Sequence, residues 1–313
     1  MMNDTKKSTA GHLAAFGTIL LWGTTYVSTK ILLKSFSPIE ILLSRFIIGY
    51  IALMIIYPHK IKTKNCKEEL LLMAAGLCGV TLYFLLENIA LTYTLASNVG
   101  IIISIAPLLT AVLAHYLLHG EKLRPQFFAG FIIAIIGIIL IGFNGSFILK
   151  LNPLGDFLAA LAALVWAIYS VIMRRISRLG YNTIGCTRRT FLYGLVFMIP
   201  ALFFLQFKLD FYRFTDINNL MNILFLGLGA SALCFVSWNW AVGILGAVKT
   251  SFYIYIVPVI TIISATLILH EEITPAAYGG AILTLTGLFI SERKANMTIN
   301  FFLIRNKKHD LSQ

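Results

Sequence analysis

Polar residues in this chain gather into short clusters, and long apolar blocks run between them. The blocks cover 13–33, 39–57, 69–91, 95–118, 127–143, 154–174, 182–205, 218–241, 246–269 and 276–292. A helix needs ~20 residues to cross a ~30 Å hydrocarbon core. Within lipid, only helices and closed barrels satisfy their own backbone hydrogen bonds. The pattern therefore predicts an all-α polytopic membrane protein with ten transmembrane helices. Joints such as Pro58-His-Lys and Asn152-Pro153 separate the blocks. Residues 1–12 read as a polar N-terminal tail and 293–313 as a basic C-terminal one. Lys6 and Lys7 ahead of the first block suggest a signal peptide, but the block is too long for one and has no clear small-residue cleavage site. It reads as a retained span.

The pattern repeats. Phe84-Leu-Leu-Glu-Asn-Ile-Ala returns as Phe235-Val-Ser-Trp-Asn-Trp-Ala, 151 positions later. Phe84, Asn88, Ala90, Ala96, Ile103, Ile105 and Pro107 match Phe235, Asn239, Ala241, Ala247, Ile254, Ile256 and Pro258. Gly130 and Gly137 meet Gly280 and Gly287, and Leu21-Trp22-Gly23 meets Val165-Trp166-Ala167. Similarity of this length marks a duplicated unit. The predicted repeats are 13–143 and 154–292, joined by a linker at 144–153.

Composition sharpens the reading. The chain is 58% hydrophobic and 12% charged, with mean hydropathy +0.85, more apolar surface than a soluble fold of this size covers. Its net charge of +12 lies between apolar blocks rather than in a stripe with aromatics, which argues against nucleic acid. With the N-terminus inside, the inner segments hold sixteen lysines and arginines. The outer ends hold Lys30, Lys34, Lys150, Lys208 and Arg213. Positive residues stay cytoplasmic, so both termini are expected inside, at the inner membrane. Five spans per repeat, an odd number, turn the second repeat upside down. The joint 119–126 carries Lys122 and Arg124, whereas the matched 270–275 carries Glu271 and Glu272. The four cysteines form no C-x-x-C pair, so neither a disulfide framework nor a metal site is expected.

Candidate chemistry lies inside the spans. Glu87 is the carboxylate well within a block, and intramembrane carboxylates commonly mark ion paths; a snorkelling structural Glu is the alternative. Its repeat partner is Trp238. Tyr83 shares its face. Lys249, the partner of Asn98, is read as a group for a substrate carboxylate or phosphate, or as a snorkelling anchor. Tyr253 lies on its face. Trp22 with Tyr26, and Trp166 with Tyr169, are read as aromatic walls of a cavity or as interfacial belts. Asn88 and Asn239 are read as cavity-side amides or as glue between helices. Pro107 and Pro258 are expected helix breaks. Arg45 and Arg189 read as anchors. No H-E-x-x-H, G-x-S-x-G or Walker loop is present, so the reading is non-enzymatic and cofactor-free.

These residues resemble a family. Trp22-Gly-Thr-Thr-Tyr, Pro38 followed by Arg45, Ile105-Ala-Pro-Leu-Leu-Thr-Ala and Gly120-Glu-Lys-Leu, with their echoes Trp166-Ala, Trp238-Asn-Trp-Ala and Glu271-Glu-Ile-Thr-Pro, are similar to the EamA repeat of the drug/metabolite transporter superfamily. The resemblance implies two inverted five-helix repeats, a central cavity, and export of amino acids or other small amphipathic metabolites by alternating access. Glu87 makes protons one candidate coupling ion, and the sequence does not choose the ion. The alternatives are a polyspecific drug or cation exporter working through Glu87, or a non-transporting scaffold.

Overall fold

A computed structural model describes residues 2–93, 96–119, 125–143, 152–205, 207, 210–269 and 275–292. Among them the structure is helical, without strands. Helices α1 (Met2–Leu32) and α2 (Pro38–Ile56) open the chain, followed by α3 (Cys66–Gly76), α4 (Tyr83–Tyr93), α5 (Ala96–Ile103), α6 (Ala106–Leu117) and α7 (Pro125–Phe143). The second half holds α8 (Pro153–Ser177), α9 (Thr183–Phe204), α10 (Ile217–Leu224), α11 (Cys234–Leu245), α12 (Ala247–Ser251), α13 (Val257–Leu269) and α14 (Pro275–Glu292). Helices Pro38–Ile56, Cys66–Tyr93, Pro153–Ser177 and Ile217–Leu245 are long and apolar enough to cross a membrane, and several shorter apolar helices accompany them. The exposed faces of α7 and α14 carry Ile132, Ile136, Tyr278, Ile282 and Phe289, a surface suited to lipid.

Two features depart from plain α-helix. The first helix starts at Met2, well before the expected start of the span, because apolarity marks the membrane and not the helix. Nothing between residues 2 and 10 breaks a helix. Secondly, π-helical segments at Leu77–Leu82 and Phe225–Leu233 interrupt the rods Cys66–Tyr93 and Ile217–Leu245. They stand at matched positions of the two halves. A π turn leaves carbonyls available to other partners and often marks a functional region.

The halves pack through reciprocal contacts. Helix α4 lies on α8 and α11 on α1; α6 lies on α8 and α13 on α1; α2 crosses the segment 225–233 while α9 crosses 77–82. The crossings are close because glycine stands at them. A Cβ on Gly227 would come within 3.2 Å of Arg45 O, and one on Gly76 within 2.8 Å of Gly194 N. Helices α7 and α14 meet along a seam of small residues. A Cβ on Gly137 would lie 2.5 Å from Gly280 O, and one on Gly287 would lie 2.5 Å from Gly130 O. Gly130 matches Gly280 and Gly137 matches Gly287, so each glycine meets the partner of the other. Such a seam lets backbones approach where dispersion, not hydrophobic burial, joins helices in lipid.

Candidate functional site

Breaks in the helices position the site. Helix α5 ends at Ile103 and α6 begins at Ala106 with Pro107 in its first turn. In the other half a 3₁₀ stretch, Phe252–Ile256, joins α12 to α13, and Pro258 stands in the first turn of α13. Proline lacks an N–H and so fits the first turn of a restarted helix. Gly246, at φ 93°, makes the sharp joint between α11 and α12, a backbone that glycine adopts without strain.

Between the halves lies a cavity of about 40 Å³ lined by Trp22, Thr25, Tyr26, Arg45, Tyr83, Phe84, Glu87, Ile103, Trp166, Ile254 and Val257. One water needs ~10–15 Å³ of such space, so the cavity admits a few waters and no metabolite without widening. Repeat partners touch across it. Trp22 meets Trp166 edge to face at 5.2 Å between ring centroids, and Phe84 meets Phe235 at 6.0 Å. Ile103 and Ile254 enter the wall from the two helix breaks.

The polar groups are unequal between the halves. Trp22 donates its indole N–H to Ala230 O at 2.9 Å, inside the π segment 225–233. Trp166, 3% exposed, has an indole N–H with no hydrogen-bond partner. Glu87 is 6% exposed and its Oε2 is buried without a partner. Arg45 donates from Nε to Ser231 Oγ at 2.9 Å, and its Cζ lies 4.4 Å from the Phe84 ring centroid. Its repeat partner Arg189 lies away from the cavity, 2.7 Å from a Glu69 carboxylate oxygen.

Two cationic side chains at matched positions bond to backbone carbonyls near helix ends. Lys30 donates to Leu91 O at 3.0 Å, at the end of α4. Arg174 donates to Val242 O at 3.1 Å and Gly243 O at 2.5 Å, near the end of α11. Lys30 and Arg174 are 144 positions apart, like Trp22 and Trp166, and Leu91 and Val242 are 151 apart, like Phe84 and Phe235. A cation at a helix C-terminus caps open carbonyls and complements the dipole.

Of the residues singled out from the sequence, Trp22, Tyr26, Tyr83, Glu87 and Trp166 come together in the cavity wall. Trp238 packs behind them, 5.1 Å from Trp22. Tyr169 donates to Asn239 Oδ1 at 2.8 Å, and Asn239 donates to Thr187 Oγ1 at 3.1 Å. Asn88 donates to Pro38 O at 3.3 Å. These three hold helices together outside the wall, and the buried amides find protein partners. Lys249 is exposed on α12 and does not line the cavity, since its ammonium stays hydrated at lower cost than it can be buried. Tyr253 turns its hydroxyl to His12 Nδ1 at 2.7 Å, and Ile254 takes its expected place. A 3₁₀ helix turns by ~120° per residue rather than ~100°, which rotates the face predicted from an unbroken helix. The side chain of Asn98 lies outside the described residues, as do 120–124, 270–274, most of the linker and the C-terminal tail.

The wall residues not foreseen are Thr25, Arg45, Phe84, Ile103, Ile254 and Val257. The recurrence of Phe84 as Phe235 and of Ile103 as Ile254 was the available signal, since matched positions of a duplicated unit can meet where the halves pack. Arg45 offered none, because an arginine near a span end has an ordinary anchoring role.

Comparison with known proteins is consistent with this arrangement. A family model described as "EamA-like transporter family" matches twice, over residues 9–143 and 153–292. An uncharacterized transporter of Archaeoglobus fulgidus is 28% identical over 287 residues, covering 90% of this chain and 97% of the relative. A probable terminal-alkyne amino-acid exporter of Streptantibioticus cattleyicolor is 24% identical, covering 88% and 91%. A solved crystal structure shares the fold with a TM-score of 0.71 at 22% identity, covering 91% of this chain and 96% of the other. The chain is a multi-pass membrane protein of transporter type, and it belongs to the EamA-like transporter family.

Proposed function

We propose that this protein is a secondary transporter that exports small amphipathic metabolites, amino acids and related compounds foremost, across the cytoplasmic membrane by alternating access. The observation that carries the reading is a small cavity between the halves together with matched cations, Lys30 and Arg174, bonded near the ends of α4 and α11. We read these two bonds as ties that hold the cavity against either face. Ten spans in two inverted five-span repeats, with both termini inside, provide the two ends. The reciprocal glycine contacts between α7 and α14 support a pseudo-twofold axis in the membrane plane. Expulsion then requires one tie to break while the other holds, so that the cavity widens towards one face only.

The aromatic walls suit an apolar side chain, while Arg45 and Glu87 suit charged ends. A relative named as a probable amino-acid exporter points the same way. A second reading, a proton-coupled exporter of organic cations, is favoured by Glu87 alone. Its buried oxygen without a partner suits a proton or an ammonium, and aromatic rings attract cations.

Efflux of radiolabelled amino acids and of organic amines from proteoliposomes, with and without an imposed pH gradient, tests these readings. Efflux of amino acids is the expected result. Efflux of amines alone selects the second reading, and no flux of either class sinks both. Single cysteines at Gln126 and Thr274 on a cysteine-free background test the inversion. An impermeant maleimide should reach them from opposite faces.

A further inference from the structure

We infer that Arg45 selects substrates by their carboxylate, so that the cavity takes small zwitterions and discriminates against their amides and amines. The inference rests on the transporter reading only for its setting, since binding alone tests it. Arg45 is 2% exposed and sits between the halves. Its Nε is bound to Ser231, from the π segment of the second half. The guanidinium lies over the Phe84 ring at 4.4 Å and is 5.4 Å from the Phe46 ring. One edge and one face of the planar group are therefore fixed.

The edge formed by the two Nη groups is different. Arg45 lines the cavity, and among the described residues no carboxylate lies within ion-pair distance of it and no hydrogen bond is made by either Nη. A buried guanidinium held in this way is costly unless a partner completes it. The partner that fits two parallel N–H groups is a carboxylate, bound by a pair of charge-assisted hydrogen bonds. Contrast Arg189, at the matched position, whose Nε and Nη2 both reach Glu69 Oε1. The same residue type is filled in one half and open in the other.

Charge decides the rest of the ligand. Arg45 and Glu87 are the ionisable pair of opposite sign among the lining residues, and together they leave the cavity formally neutral. An occupant with a carboxylate alone would add an unbalanced charge to a buried site. One carrying a carboxylate and an ammonium keeps the sum at zero, with the ammonium directed to Glu87 and the apolar remainder against Trp22, Trp166 and Phe84.

The test uses purified full-length protein and matched triplets: apolar amino acids, their primary amides and their decarboxylated amines. Binding is read from tryptophan fluorescence and thermal shift in detergent. Wild type should bind at least one acid, with its amide and amine at least ~10-fold weaker. Arg45→Gln should weaken the acid by ~10–100-fold, the span of a charge-assisted hydrogen-bond pair, and leave the amide unchanged. Arg45→Lys keeps the charge without the fork and should lose most of the same discrimination. A ligand-free melting temperature of Arg45→Gln close to that of wild type, with the amide still bound, excludes a misfolded variant. Equal affinity for acid and amide in wild type overturns the inference, as does a wild type that binds none of the panel. Selective binding of acids in a protein that moves none of them through vesicles would uphold Arg45 and sink the transport reading alone.

Discussion

Trp22 and Trp166 occupy the same place in the two halves of the chain, and they pack edge to face on each other at 5.2 Å. Each of the two thus touches its own sequence counterpart in the cavity wall. Yet the two indoles are not equivalent. Trp22 spends its N–H on Ala230 O, and the N–H of Trp166 has no partner.

That difference predicts unequal mutants. Trp22→Phe removes a made hydrogen bond and leaves a carbonyl short, so it should lower stability by ~0.5–1.5 kcal/mol beyond the loss of ring area. Trp166→Phe removes an unmade one and should be milder. Thermal melting of the two variants in one detergent measures the gap; a larger loss for Trp166→Phe would contradict the bonding described.

Lys30 and Arg174 should act on opposite faces. On the proposed orientation, with the N-terminus inside, Lys30→Met should open the cavity towards the outside and Arg174→Met towards the inside. A cysteine placed at Thr25 on a cysteine-free background should then react faster with an impermeant reagent from outside in the first variant, and from inside in the second. Reaction from the same face in both would show that the ties are not gates.

The seam of α7 and α14 should tolerate no side chain. Gly287→Ala puts a methyl 2.5 Å from Ala134 N and from Gly130 O, both backbone atoms, so the helices must separate. A loss of ~1–3 kcal/mol is expected, as for other overpacked sites. Gly17→Ala, with nothing within 4 Å of the new methyl, is the control and should melt like wild type or slightly higher.

Glu87→Gln separates coupling from binding. The amide imitates the protonated acid, so passive exchange of substrate should survive. Accumulation driven by a pH gradient should vanish, because the residue can no longer release a proton. Counterflow and concentrative uptake measured on the same vesicles decide the matter, and intact accumulation would leave Glu87 with a structural role.

What the sequence by itself determined about this protein is its class and its doubling. Apolar blocks between charged joints require membrane helices, since backbone groups in lipid have no other partner. Recurrence of Phe84, Asn88 and Pro107 as Phe235, Asn239 and Pro258 betrays the repeat. The touching pair Trp22 and Trp166 was legible for the same reason. Tertiary structure alone decided which polar groups face the cavity. Lys249 stays outside on an exposed turn of α12, where a long cationic side chain can reach a polar phase. Tyr253 gives way to Ile254 because a short 3₁₀ stretch changes the angular step, which no count of residues along an assumed α-helix reveals. Arg45 enters because the π segment of the other half brings Ser231 against its Nε and the Phe84 ring lies 4.4 Å from its Cζ. Those partners are 186 and 39 positions away along the chain. An arginine's sequence neighbours record none of that, because the role of a buried charge is set by what the fold places around it.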